Sequence, residues 1–202
     1  MKKKKGDAAM AFSVLCFGDS LTAGYGVTPK DSWVSLLARR FPSTRFYNHG
    51  ICGCLFPSIL EDALSAAVHP AEDTILFLMG GTNDILCGLR LDSLLQRAER
   101  DIRTLSRHLP VILGIPPLTT PDSIAAGWQQ DWQYERTNEE LRLYGDFLRR
   151  LAADLSLPAA DFQTAIPQRN AFYSDGVHPN AEGHRLMART AEAVFSPLLI
   201  SQ

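Results

Sequence analysis

The chain has no run approaching the ~18–20 apolar residues of a membrane span, so nothing in its 202 residues reads as a transmembrane helix. Cysteine is scarce. Cys16, Cys52, Cys54 and Cys87 stand in a chain too long and too apolar to need disulfide staples, and are read as free thiols. A basic stripe is missing as well. Lys2, Lys3, Lys4 and Lys5 supply four of the 20 basic residues, and the remaining 16 face 22 acidic ones. An acidic body without clustered Lys and Arg argues against a nucleic-acid partner, which needs several phosphates neutralised on one face. There is no internal repeat and no Gly/Ser linker, so one domain is expected. The Gly-x-Ser-x-Gly elbow of α/β-hydrolases is absent, and residues 18–26 match neither Gly-x-Gly-x-x-Gly nor a phosphate-binding loop.

What is present is average for a globular protein, with 46% hydrophobic and 21% charged residues, enough for one sizeable core. The start, Met1 to Lys5 followed by Ala8 to Phe17, resembles the basic and apolar regions of an export signal. It runs straight into Gly18-Asp19-Ser20 with no small-residue cleavage site. Residues 1–11 are therefore expected to be a basic, flexible tail, and residues 12–202 a single domain of a soluble, cytoplasmic protein. Short apolar runs alternate with amphipathic stretches, the pattern of βαβ units around a parallel sheet. Strands are predicted at Phe12–Phe17, Arg45–Asn48, Thr74–Met79 and Val111–Ile115, covered on both faces, with a fifth at Pro158–Phe162. Helices are predicted at Ser32–Phe41, Ser58–Val68, Leu91–Leu109, Trp132–Leu155 and Ala181–Phe195, with Pro110 stopping the third. The irregular stretch from Pro116 to Asp131 is long enough to be functional or mobile. Strand ends in such a sheet open onto the ligand crevice, so Asp19-Ser20, residues 50–54, residues 80–84 and residues 116–128 are expected to surround one site.

Each of these segments has an ordinary reading and a chemical one. Ser20, at the exit of the first strand, is a turn or cap serine unless a base lies within hydrogen-bond reach, when it becomes a nucleophile. Asp175-Gly176-Val177-His178-Pro179-Asn180 precedes the last helix. An aspartate three residues before a histidine can orient the imidazole through Nδ1 and leave Nε2 free, while Asn180 caps the helix. The amide of Asn83 in Gly80-Gly81-Thr82-Asn83-Asp84, and a glycine N–H in Gly50-Ile51-Cys52-Gly53, are possible donors to a tetrahedral oxygen. His69, His108 and His184 read as surface or helix-end residues. Cys52, Cys54 and His49 are too few for a tetrahedral zinc site, and no metal or cofactor is expected.

Taken in order, Gly18-Asp19-Ser20-Leu21, Gly53, Gly81-Thr82-Asn83-Asp84 and Asp175-Gly176-Val177-His178 resemble the four motif blocks of the GDSL or SGNH hydrolases, over residues 12–195. The resemblance implies a three-layer α/β/α flavodoxin-like fold around a parallel sheet of about five strands. It further implies that Ser20 is the nucleophile and that Asp175 and His178 complete a triad. The Ser20 N–H, Gly53 and Asn83 would then form the oxyanion hole. Cys54 stands where the family often carries an acidic or polar residue, and of the two glycines in this block Gly53 is favoured over Gly50. Asp19 is expected to tie down the Ser20 loop rather than react.

The function expected is hydrolysis of small-molecule carboxylic esters with short to medium acyl chains through an acyl-enzyme, with no stable membrane insertion. Phe56, Leu118, Trp128 and Trp132 are candidates for the substrate wall. An acyl-thioesterase, a lysophospholipase and a sugar O-deacetylase would use the same triad. A non-catalytic binding module is the alternative from another class, and would have no need of Ser20, Asp175 and His178 together.

Overall fold

The computed structural model describes residues 12–70 and 73–200; the basic tail expected at residues 1–11 lies outside them. Five parallel strands, β1 (Ser13–Gly18), β2 (Arg45–Gly50), β3 (Thr74–Leu78), β4 (Val111–Ile115) and β5 (Ala159–Asp161), form one sheet in the order β2-β1-β3-β4-β5. Four long helices carry the connections, α2 (Trp33–Arg40), α3 (Phe56–Ala66), α5 (Leu91–Leu105) and α7 (Tyr134–Leu155), and a fifth, α9 (Ala181–Ile200), follows β5. Four short ones, α1 (Ser20–Ala23), α4 (Thr82–Leu86), α6 (Asp122–Ala125) and α8 (Phe162–Ala165), follow the carboxyl ends of strands or sit in the loop after β4. No helix among the described residues is long and apolar enough to cross a membrane.

Alternation along the inner strands divides the core. Leu76, Leu78, Val111 and Leu113 point to one face and pack with Leu60 and Ala63 of α3, Ala98 and Ile102 of α5, and Leu141 and Leu148 of α7. Ile75, Phe77 and Ile112 point to the other and meet Trp33 and Leu37 of α2 and Met187, Ala191 and Phe195 of α9. This is the three-layer α/β/α arrangement expected. β3 and β4 are buried throughout, as strands covered on both faces should be. β2 departs from that expectation: Arg45, Tyr47, Asn48 and His49 are exposed, because it is the edge strand and α3 packs over β1 instead.

Helix ends also differ from the sequence reading. α5 stops at Leu105, five residues before Pro110. Arg107 N–H bonds Thr104 and His108 N–H bonds Leu105, so short-range turns unwind the helix ahead of the proline rather than at it. α3 begins two residues earlier than predicted, with Pro57 in its first turn, where a missing N–H costs no helical bond. α9 runs on through Pro197 to Ile200.

The strand order reverses between β1 and β3. Their carboxyl ends therefore splay loops in opposite directions and open a crevice. The fully buried Trp33 indole, tilted against Phe77 at 4.8 Å, donates to the carbonyl of Leu21 at 3.1 Å and so couples the core to the loop at that crevice.

Candidate active site

Ser20 is the first residue of α1, immediately past β1. The chain reverses there because Gly18 has no side chain: a Cβ would lie 2.1 Å from Thr22 Oγ1. Asp19 caps the turn. Its Oδ1 accepts the Leu21 N–H at 2.9 Å, and its carbonyl accepts the N–H groups of Thr22 and Ala23. Asp19 thus ties down the Ser20 loop, as the sequence suggests. It is fully buried, its Oδ2 has no hydrogen-bond partner, and burial pushes its carboxyl up to about 7. Asp84, accepting the Phe56 N–H at 2.9 Å, is raised by burial too, and its charge pushes the Asp19 carboxyl up further.

His178 reaches this serine from the far end of the chain. Its Nε2 lies 2.9 Å from Ser20 Oγ and its Nδ1 lies 2.7 Å from Asp175 Oδ2. The other carboxylate oxygen of Asp175 accepts the backbone N–H groups of Val177 at 3.1 Å and His178 at 2.8 Å. Burial alone would raise Asp175, but the His178 N–H, the imidazole and the Val177 N–H outweigh it and hold the carboxyl below its usual range. The segment is set by the Tyr173–Pro179 bridge and by Ser174 N–H donating to the His178 carbonyl at 2.8 Å. Asn180 does cap α9, its Oδ1 accepting from Glu182 and Gly183. Ser20, His178 and Asp175 thus form one hydroxyl–imidazole–carboxylate chain, the arrangement that can activate a serine.

The two glycines of the second block differ in what their N–H groups do. That of Gly50 donates to Asn48 Oδ1 at 2.9 Å, whereas that of Gly53 finds no acceptor among the described residues and sits in an exposed turn at φ +76°. Asn83, on α4 after β3, sends its Nδ2 to the Cys54 carbonyl at 2.9 Å. One of its two amide protons therefore pins this loop and the other is free.

Of the four residues expected to line the substrate wall, Trp128 is the one that contacts the Ser20–His178–Asp175 chain. Phe56 is 2% exposed, packed against Gly80 and Tyr144 in the core, so the structure corrects its assignment to an open wall. Sequence cannot distinguish the two faces at a helix start. Leu118 is half-buried against the same core. Trp132 is 71% exposed with the Arg136 guanidinium over its ring. Trp128 lies at the site, but its indole N–H donates to Asp175 Oδ2 at 2.9 Å and its ring lies 5.0 Å from that of His178. Tyr25, absent from the sequence reading, flanks the same imidazole at 4.4 Å. Its signal was faint, a single aromatic just past α1. His184 lies at a helix end as expected yet is fully buried, its Nδ1 accepting the Trp33 N–H. The four cysteines are unpaired, and among the described residues no group of three or more His, Cys, Asp or Glu is arranged to hold a metal.

Residues 16–186 match the model of the GDSL-like lipase/acylhydrolase family, a span that takes in both Ser20 and His178. The chain belongs to this family. A member of the lipolytic G-D-S-L family from Veillonella parvula shares 29% identity and superposes with a TM-score of 0.79, over 92% of this chain and 99% of that one. A carbohydrate acetylesterase family member from Sinorhizobium meliloti shares the fold at 21% identity, with a TM-score of 0.75 over 93% and 99% of the two chains. In sequence, a multidomain esterase from Ruminococcus flavefaciens is 29% identical over 118 residues, 57% of this chain. The matched stretch is 14% of that relative's length.

Proposed function

We propose that this GDSL-family protein is a serine carboxylic ester hydrolase acting on small esters. The observation that carries this reading is the unbroken contact from Ser20 Oγ through both nitrogens of His178 to Asp175. His178 Nε2 takes the Ser20 proton as Oγ attacks the ester carbonyl. The developing oxyanion is met by the N–H groups of Ser20 and Gly53 and by the free amide proton of Asn83. Collapse expels the alcohol with the proton returned by His178. Water, deprotonated by the same nitrogen, then releases the acid from the acyl-enzyme. Gly53 fills this role in preference to Gly50, whose N–H is already spent on Asn48. Four unpaired cysteines are consistent with work in the reducing cytoplasm.

The leaving alcohol must sit beside the nitrogen that protonates it. Tyr25 and Trp128, 48% and 42% exposed, flank that imidazole, which favours alcohols with a flat or ring-shaped face over linear ones. An acetylated sugar or an aryl ester fits this side better than a lysophospholipid. The test is hydrolysis of p-nitrophenyl acetate, butyrate and octanoate by wild type and Ser20→Ala. Turnover that disappears in the variant supports serine acyl transfer, and the chain-length profile sizes the acyl side. Retained turnover in Ser20→Ala sinks the reading. Ethyl acetate set against phenyl acetate and an acetylated xyloside examines the alcohol side, where equal kcat/KM for all three would remove the aromatic preference.

A further inference from the structure

Asp175 is held more completely than orienting a histidine requires. Oδ1 takes two backbone N–H groups, and Oδ2 takes the imidazole Nδ1 at 2.7 Å and the Trp128 indole Nε1 at 2.9 Å. We propose that Trp128 is a positioning residue for the acid–base pair, its indole N–H fixing Oδ2 so that the imidazole keeps Nε2 on Ser20. The proposal rests on the serine-esterase reading above.

The segment that delivers Trp128 is built as a buttress. Thr120 N–H donates to the Gly176 carbonyl at 2.8 Å, and Gly176 approaches so closely that a Cβ there would lie 2.0 Å from Ser123 N. Ser123 in turn accepts the Trp128 N–H on its carbonyl at 2.9 Å. Inside the loop, the buried Gln129 amide donates to Thr119 Oγ1 at 3.0 Å and Ser123 Oγ at 2.7 Å, and Asn138 of α7 donates to Thr119 Oγ1 at 2.9 Å. A continuous set of bonds thus runs from α7 through the loop to the indole and to the Asp175–Gly176 backbone.

The choice of tryptophan suits the task. An indole N–H donates, never accepts and does not ionise in the working range, so it can serve Oδ2 only as an acceptor. A protonated Oδ2 would have to give up a donor. The indole therefore favours the carboxylate while the imidazolium forms, and with both oxygens doubly bonded the carboxylate plane cannot turn away. Removing the N–H leaves Oδ2 a single partner.

Trp128→Phe keeps the ring and deletes the donor. Hydrogen bonds to charged groups are worth enough that kcat on p-nitrophenyl acetate is expected to fall about 10–100-fold, with KM little changed. In an Asp175→Ala background the same substitution should cost nothing further, because its effect passes through that carboxylate. The acidic limb of kcat/KM should also move to higher pH, since a carboxylate with fewer donors stabilises the imidazolium more. The other titratable groups beside the imidazole are Tyr25 and the buried His184, which is pushed down to about 4 and stays neutral across the range. In the wild-type protein, the Trp128 indole proton resonance should lie downfield of that of the exposed Trp132 and return towards it in Asp175→Ala, a measurement independent of whether Trp128→Phe folds. Full activity in Trp128→Phe, an equal loss with and without Asp175, or an indole resonance indifferent to Asp175 would each overturn the role. Activity in Ser20→Ala would instead bring down the esterase reading itself.

Discussion

The turn that carries Ser20 closes mainly on itself through bonds within residues 19–25, with Trp33 and Asn48 donating to the Leu21 and Thr22 carbonyls from outside, whereas the His178 segment has its Asp175 carboxylate and Gly176 carbonyl met by the remote Trp128 and Thr120. On the serine side, Asp19 caps α1 and Gly24, at φ +89°, closes it by donating to the Ser20 carbonyl. Short range does most of the work. On the histidine side, Asp175 does bond locally to Val177 and His178, but its second oxygen and the Gly176 carbonyl are met by a loop some fifty residues earlier in sequence. The first kind of geometry is set largely within its own turn. The second fails when either of two remote segments moves.

The largest expected effect lies where the two sides meet. Asp175→Asn keeps the volume but presents an amide in place of a carboxylate, which can no longer hold the imidazole in the tautomer with Nε2 free or stabilise its cation. A loss of about 10⁴-fold in kcat is expected from single-turnover and steady-state rates on p-nitrophenyl butyrate. Asp19→Asn, by contrast, retains the oxygen that caps α1 and should leave kcat nearly intact. Comparable losses in the two variants would erase the distinction between a chemical and a structural aspartate.

Next in size is the oxyanion side. Asn83→Ala removes both the free amide proton and the bond to the Cys54 carbonyl, and should lower kcat by roughly 10²–10³ with little change in KM. If KM rises more than kcat falls, the residue binds the ground state. Gly53, whose N–H comes from the backbone, has no side chain to delete, so Asn83 is the sharper probe of this corner.

The difference between the two sides also explains what was legible in the sequence. Strand positions came through within one or two residues because Thr74–Leu78 and Val111–Ile115 are short apolar runs bounded by breakers. The segments carrying Ser20, Asn83 and Asp175–His178 were visible because each is a local turn marked by Gly, Asp or Asn, and the structure brings Ser20, His178 and Asp175 within hydrogen-bond distance of one another. The bond from Trp128 to Asp175 spans 47 residues and leaves no local mark. Trp128 therefore read as a generic aromatic for substrate, and Tyr25 did not register. The four short helices were missed for a related reason, being shorter than two turns and so without any periodicity to detect.

The serine side carries a further cost that the histidine side lacks. With its carboxyl raised to about 7, Asp19 retains a proton in the folded state that the unfolded chain releases near pH 4. The native state thus binds more protons than the unfolded one between about pH 4 and 7, and stability falls across that window, by an amount on the order of 4 kcal/mol, then levels off. Asp84, raised by the same burial, adds in the same direction. Asp175, held low by its donors, contributes with the opposite sign, its stabilisation present above the usual carboxylate range and lost as pH falls below it. Urea midpoints at pH 5 and pH 8 should therefore differ in the wild type and differ less in Asp19→Asn. An unchanged slope in the variant would show that Asp19 is ionised while buried.

Trp132 sets the lower bound. It lies four residues beyond Trp128, is 71% exposed, and touches the Arg136 guanidinium rather than any member of the hydroxyl–imidazole–carboxylate chain. An exposed contact of this kind is worth little, so Trp132→Ala should alter stability by no more than about 0.5 kcal/mol and leave kcat/KM on p-nitrophenyl butyrate essentially as it is. Trp128→Phe, a milder substitution in the same segment, should cost far more. If the ranking is reversed, the loop after β4 acts on substrate through its far end instead of on Asp175 through its near one, and the buttress between the two sides of the site is not what holds His178 in place.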